Sequence, residues 1–71
     1  MKKKILIEGM SCEHCVNHVS VALNELSGVT KVEVNLAGKH AILDASQDIN
    51  DDEIKSAIDE AGYEVTKIEV L

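Results

Sequence analysis

Lys4-Ile5-Leu6-Ile7-Glu8-Gly9-Met10-Ser11-Cys12-Glu13-His14-Cys15 begins as an alternating apolar segment, breaks at a glycine and delivers two cysteines into the segment that follows. Residues 4 to 8 alternate as a strand with Ile5 and Ile7 facing inward, and Gly9 ends it. From about Glu13 to Leu26 the period changes. Cys15 or Val16, then Val19, Leu23 and Leu26, recur at steps of three and four residues, which predicts an amphipathic helix. Asn17, His18, Ser20, Asn24 and Glu25 fall on its outer face, and Ser27-Gly28 is a stop signal, with Gly28 suited to the left-handed residue past the last turn.

The rest of the chain continues in the same way. Val29 to Leu36 alternates, Ala37-Gly38-Lys39 makes a turn, and His40 to Ala45 alternates again, so these two strands form a hairpin. Ala41, Leu43 and Ala45 are expected to face the core, with His40, Ile42 and Asp44 opposite. Asn50 followed by Glu53 resembles a capping pair. Ile54, Ala57, Ile58 and Ala61 then form the inner stripe of a second helix that Gly62 ends, and acids at its start suit the helix dipole. Tyr63 to Leu71 reads as a last strand. Its apolar positions Val65, Ile68 and Val70 break strict alternation once, which predicts a bulge or an irregular end. The order strand, helix, strand, strand, helix, strand folds most simply as an α+β, ferredoxin-like βαββαβ sandwich, a four-stranded antiparallel sheet with both helices on one face. The two halves share this layout but show no matching sequence repeat.

Seventy-one residues make one domain spanning residues 1–71, close to the lower limit for a self-sufficient core. The chain has one Tyr and no Phe or Trp, so the core must be aliphatic. A net charge of −6 and a pI near 4.8 argue against nucleic acid and anionic membrane surfaces, which require clustered basic residues. Lys2-Lys3-Lys4 reads as a solvated strand start. The apolar run after it is too short for a signal peptide or a membrane span, so a cytoplasmic location follows by default. In that reducing compartment two lone cysteines point to metal binding or catalysis rather than to a structural staple.

Cys12 and Cys15 are the only cysteines, in C-x-x-C spacing, and two thiolates so placed converge on a metal ion or on each other as a disulfide. Cys12 belongs to the loop and Cys15 to the first helical turn, where free backbone amides and the helix dipole lower a thiol's pKa. Soft thiolates select Cu(I) or Zn(II) over Mg or Ca. Structural zinc takes four ligands, and His14, His18 and His40 stand at no spacing that completes a second pair. Cu(I) accepts two-coordinate thiolate binding, and an exposed two-ligand site leaves room for an incoming thiolate from another protein.

Gly9-Met10-Ser11-Cys12-Glu13-His14-Cys15, the Val-rich helix, Ser27-Gly28-Val29 and Ala61-Gly62-Tyr63 together resemble the heavy-metal-associated domain family, and within it the small bacterial copper chaperones. The resemblance covers essentially the whole chain. It implies Cu(I) held by Cys12 and Cys15 and delivered to the metal-binding domain of a copper-transporting P-type ATPase or to a copper-responsive repressor. It also implies supporting parts for Met10, which turns inward and pins the loop to the core rather than ligating, and for Tyr63, which shields the site and turns its hydroxyl toward a sulfur; the alternative for Tyr63 is a residue that caps the core end. His14, between the cysteines, is expected to face solvent, either as an ordinary solvated residue or as a third or transient ligand or an electrostatic tuner. His18 and His40 are expected to be bystanders.

The rival reading is an enzyme, a thiol–disulfide oxidoreductase with Cys12 as nucleophile and Cys15 as resolving thiol. The chain has no proline, so it lacks the cis-proline such sites place beside the disulfide, and its element order is wrong for that class. A domain belonging to a larger transporter is the third reading; Met1 and the finish on a strand at Leu71 favour a free-standing protein. Exposed paired thiolates could also bridge copper between two copies.

Overall fold

The computed structural model describes all residues from Met1 to Leu71. Six elements follow one another: β1 (Lys2–Glu8), α1 (Glu13–Asn24), β2 (Val29–Asn35), β3 (His40–Ala45), α2 (Asp51–Glu60) and β4 (Glu64–Val70). The strands form one antiparallel sheet in the order β2-β3-β1-β4, with both helices packed over one face. The expected ferredoxin-like βαββαβ arrangement is therefore the observed one.

The core is aliphatic, as the composition requires. Ile5, Ile7, Ala41, Leu43 and Ala45 of the two central strands meet Val19 and Leu23 of α1 and Ile54 and Ile58 of α2. The hairpin faces as read from its alternation, with Ala41, Leu43 and Ala45 buried and His40, Ile42 and Asp44 half-buried on the open face. Burying aliphatic side chains of this size is worth about 1.5–3 kcal/mol each, and this drives the two layers together.

Two residues outside the expected core belong to it. Ile49 is buried one residue before the Asn50 cap and meets the same cluster as Ile54, the staple pairing that fixes the chain's entry into a helix. Asn50 caps as expected, its Oδ1 accepting from the Asp52 amide at 2.9 Å, but Glu53 returns no side-chain bond to it. Lys3 corrects the reading of the basic run. It is 6% exposed, because it continues the inward phase of Ile5 and Ile7. Its Nζ donates to the Ile49 carbonyl at 2.8 Å and to Asp51 Oδ1 at 2.7 Å, which compensates the burial of the charge.

The irregularity expected in the last strand is a bulge. Leu6 faces Lys67 and Ile7 faces Val65, so Thr66 has no opposite residue and Val65 and Ile68 reach the same face. A second bulge was not expected. Val29 faces Ala45 and Lys31 faces Asp44, leaving Thr30 over. The two edge strands thus align as Val29-Thr30-Lys31-Val32-Glu33-Val34 and Val65-Thr66-Lys67-Ile68-Glu69-Val70. This is a short repeat that the sequence reading passed over.

The helix ends differ. α1 stops at Asn24, so Gly28 serves the following turn rather than the helix terminus. α2 stops at Glu60 and is closed by Gly62, φ +96°, with the Gly62 amide bonded to the Asp59 carbonyl at 3.0 Å and the Tyr63 amide to the Ile58 carbonyl at 3.1 Å. This is a Schellman closure, and it fixes where Tyr63 leaves the helix. A Cβ at Gly62 would meet nothing within 4 Å, so Gly62→Ala adds backbone strain alone. We expect it to cost about 1–2 kcal/mol, read as a lower urea midpoint at unchanged m-value.

Candidate functional site

The strand-to-helix junction is built from its two ends. On the β1 side Met10 is 3% exposed and packs into the core cluster, so the loop after Gly9 is pinned to the sheet as expected. On the helix side Cys12 is the cap residue of α1, with extended backbone at φ −152° and ψ 170°. Its carbonyl accepts the amides of Cys15 at 3.0 Å and Val16 at 3.2 Å, and its side chain caps nothing. Cys12 Sγ is therefore left to solvent, while Cys15 in the first turn is half-buried against the core.

The sulfurs lie 3.3 Å apart, well beyond the S–S bond of about 2.05 Å, and both cysteines are free thiols. No third His, Cys, Asp or Glu converges with them into a cluster of three. His14 is exposed in the first turn of α1. Glu13, also in that turn, is the acidic residue that the amino-terminal dipole favours.

Tyr63 closes the site from the other side of the fold. The Gly62 turn brings its ring against Gly9, where a Cβ would lie 3.6 Å from Tyr63 Cδ1. Its hydroxyl is the largest of the influences that hold the Cys15 thiol down to about 6 from an ordinary 9.0. The Ser11 backbone amide and the Cys12 side chain add to the lowering, and partial desolvation opposes it. In return the thiolate pushes the Tyr63 hydroxyl up to about 12. His18 departs from its expected part, because its Nδ1 lies 3.3 Å from the Tyr63 hydroxyl oxygen. His40 stays with the hairpin, beside Gly38. The signal for His18 is its spacing, one helical turn past Cys15 on the same side of α1.

An open groove of about 560 Å³ runs between the helices from this end of the molecule. Val21, Leu26 and Ala57 line it, His18 stands at the end nearest Tyr63, and Glu25 and Glu60 also border it. Val21 is 58% exposed, a large apolar side chain left uncovered on α1.

The family model described as heavy-metal-associated domain matches residues 4–64, most of the chain and all of the site. The chain belongs to the heavy-metal-associated domain family. Among curated members, the copper chaperone CopZ of Staphylococcus epidermidis is 45% identical over 65 residues, covering 90% of this chain and 96% of that protein. Among solved members, a CopZ metallochaperone superposes with a TM-score of 0.86 at 34% identity, covering 93% of this chain and all of the other. A copper binding domain from HMA7, a P-type ATPase, superposes with a TM-score of 0.81 at 33% identity over the whole of this chain and 95% of its own. No helix in this heavy-metal-associated domain is long and apolar enough to cross a membrane.

The lowered thiol fixes the sign of a pH dependence. Between about 6 and 9.0 the folded chain has released the Cys15 proton that the unfolded chain still holds. This group therefore adds stability as pH rises through that window, and the contribution is lost as pH falls through the folded value. Tyr63→Phe removes the largest cause. We expect the Cys15 titration, followed by thiolate absorbance, to move upward and the slope of urea midpoint against pH to flatten. An unmoved titration would show that the hydroxyl does not polarise this sulfur.

Proposed function

We propose that the chain is a copper chaperone of one domain, residues 1–71, that holds Cu(I) between the Cys12 and Cys15 thiolates and passes it to a partner by ligand exchange. The observation that carries this reading is the open two-sulfur site: two free thiols 3.3 Å apart at an exposed helix start, with no third ligand clustered on them. A soft d10 ion is satisfied by two thiolates, whereas structural zinc normally takes four ligands. The relatives named as copper chaperones support the same cargo.

The two sulfurs are unequal, and this suits exchange. Cys15 is half-buried and its thiol is lowered chiefly by the Tyr63 hydroxyl, whereas Cys12 is exposed and caps nothing. An incoming thiolate of the partner would bond to the ion as the Cys12–copper bond breaks, and a second partner thiolate would then take the place of Cys15. Copper remains Cu(I) throughout, and each thiolate ends on one metal or one proton. Met10 holds the loop, Tyr63 shields the ion, and His14 stands in solvent beside it.

For the recipient, the relative that is a copper binding domain of a P-type ATPase supports the metal-binding domain of a copper-transporting P-type ATPase, with a copper-responsive repressor as a second recipient. Docking would use the outer face of α1, where Asn17, Val21 and Asn24 are exposed and uncharged, so little charge must be desolvated. In an amide-shift titration with such a domain, changes should map to residues 11 to 24 and 62 to 64. Changes confined to α2 would sink this docking face. Copper could also bridge two copies through the same exposed sulfurs, and the paired free thiols suit the reducing cytoplasm we propose as its location.

The oxidoreductase reading lacks the cis-proline that such sites place beside the pair, because the chain has no proline. The deciding experiment is an anaerobic Cu(I) titration against a competing chelator with Zn(II) in parallel, plus copper-edge X-ray absorption on the loaded protein. We expect one copper with sulfur neighbours alone, held far more strongly than zinc. Cys12→Ser and Cys15→Ser should each lose most Cu(I) affinity while remaining folded, because neither sulfur belongs to the fully buried core. Tight copper binding by either variant would contradict the two-thiolate site.

A further inference from the structure

We infer that His18 is a positioning residue, whose Nδ1–H holds the Tyr63 hydroxyl oxygen so that the hydroxyl hydrogen stays aimed at Cys15. For its effect on cargo this rests on the copper reading above. The arrangement itself does not.

Three placements support it. His18 follows Cys15 by one helical turn, so sulfur and imidazole lie on the same side of α1. Tyr63 enters from α2 through the Gly62 turn, which fixes the base of its side chain but leaves the ring's far end to whatever it meets. What it meets is the His18 imidazole, whose Nδ1 lies 3.3 Å from the hydroxyl oxygen on the side of α1 that also carries Cys15.

A phenol has one hydrogen to donate. If it goes to the Cys15 sulfur, the oxygen can take a bond only from a donor, and a neutral His18 must then carry its proton on Nδ1 with Nε2 bare toward solvent. The opposite tautomer would make Nδ1 an acceptor and draw the hydroxyl away from the sulfur. The ring's tautomer therefore decides which way Tyr63 points. In the loaded protein Cys15 is a thiolate, and a hydroxyl held on it stabilises the bound state against release.

The first test needs no copper. A long-range proton–nitrogen spectrum of the copper-free protein, at a pH where the ring is neutral, should show His18 with its proton on Nδ1. The Nε2–H form, or the averaged mixture of a freely solvated ring, overturns the assignment.

The second test is the rate at which a chelator strips Cu(I) from loaded protein. His18→Ala should release copper about fivefold faster, the change that one modest hydrogen bond supports. His18→Asn places an amide nitrogen where Nδ1 stood and should return the rate to within about twofold of the parent. A structural role would rank these variants the other way, because Ala suits a helix better than Asn. Tyr63→Phe should release copper at least as fast as His18→Ala, and adding His18→Ala to it should change nothing further. Equal rates for the Ala and Asn variants, or independent effects of His18 and Tyr63, would overturn the proposal. A chain that binds no copper would end the chaperone reading, and the tautomer would still decide the part of His18.

Discussion

The burial of Met10 is the constraint on which the site depends. A loop between a strand and a helix has little to hold it, and this one contains a glycine, a serine and a cysteine besides Met10 on its way to the helix. Met10 inserts its thioether side chain among the aliphatic residues and ties the loop to the two packed layers. Its flexibility allows it to fill a gap at the end of the sheet that a branched residue would fit less well. With Met10 fixed, Cys12 falls at the helix cap and Cys15 in the first turn, so the sulfur separation follows from helix geometry rather than from contacts between the sulfurs.

A second tie comes from the opposite half of the chain. The Gly62 turn ends α2 and sends Tyr63 over the loop, so the site joins two segments far apart in sequence. Each supplies what the other lacks. The loop offers backbone amides and a helix start, which any cysteine there would feel, and Tyr63 offers a hydroxyl that lowers the Cys15 thiol. The difference between Cys12 and Cys15 thus arises in the tertiary structure and has no counterpart in the symmetric spacing of C-x-x-C.

This explains what could be read in advance. Element order, the hairpin faces, the inward turn of Met10 and the approach of Tyr63 follow from periodicity, glycine positions and the resemblance of the motif, and all are local or family-wide. Lys3 was misread because its charge outweighed its phase, although Ile5 and Ile7 had already set that phase inward. Ile49 was missed because a lone isoleucine in a polar loop has no period. The bulge at Thr30 was hidden because Val32 and Val34 alternate well by themselves, and the misfit lies only at Val29. Spacing set His18 on the Cys15 side of α1, but its contact with Tyr63 was not legible, since that partner is 45 residues away and is met only once both helices have docked.

A carrier must also fold the same way full and empty, and the distribution of apolar contacts provides for this. In small metal-stabilised domains the binding free energy of the ion is folding free energy, so surrendering the ion unfolds them. Here the eleven buried core residues include no cysteine, and Met10 rather than a metal anchors the loop. Burial of these residues, with Lys3 holding the start of α2, accounts for folding without any contribution from the sulfurs. On the proposed function, the free energy of an ion held at Cys12 and Cys15 would then be available to be matched by a partner's thiolates, and transfer between two such sites would require neither chain to unfold.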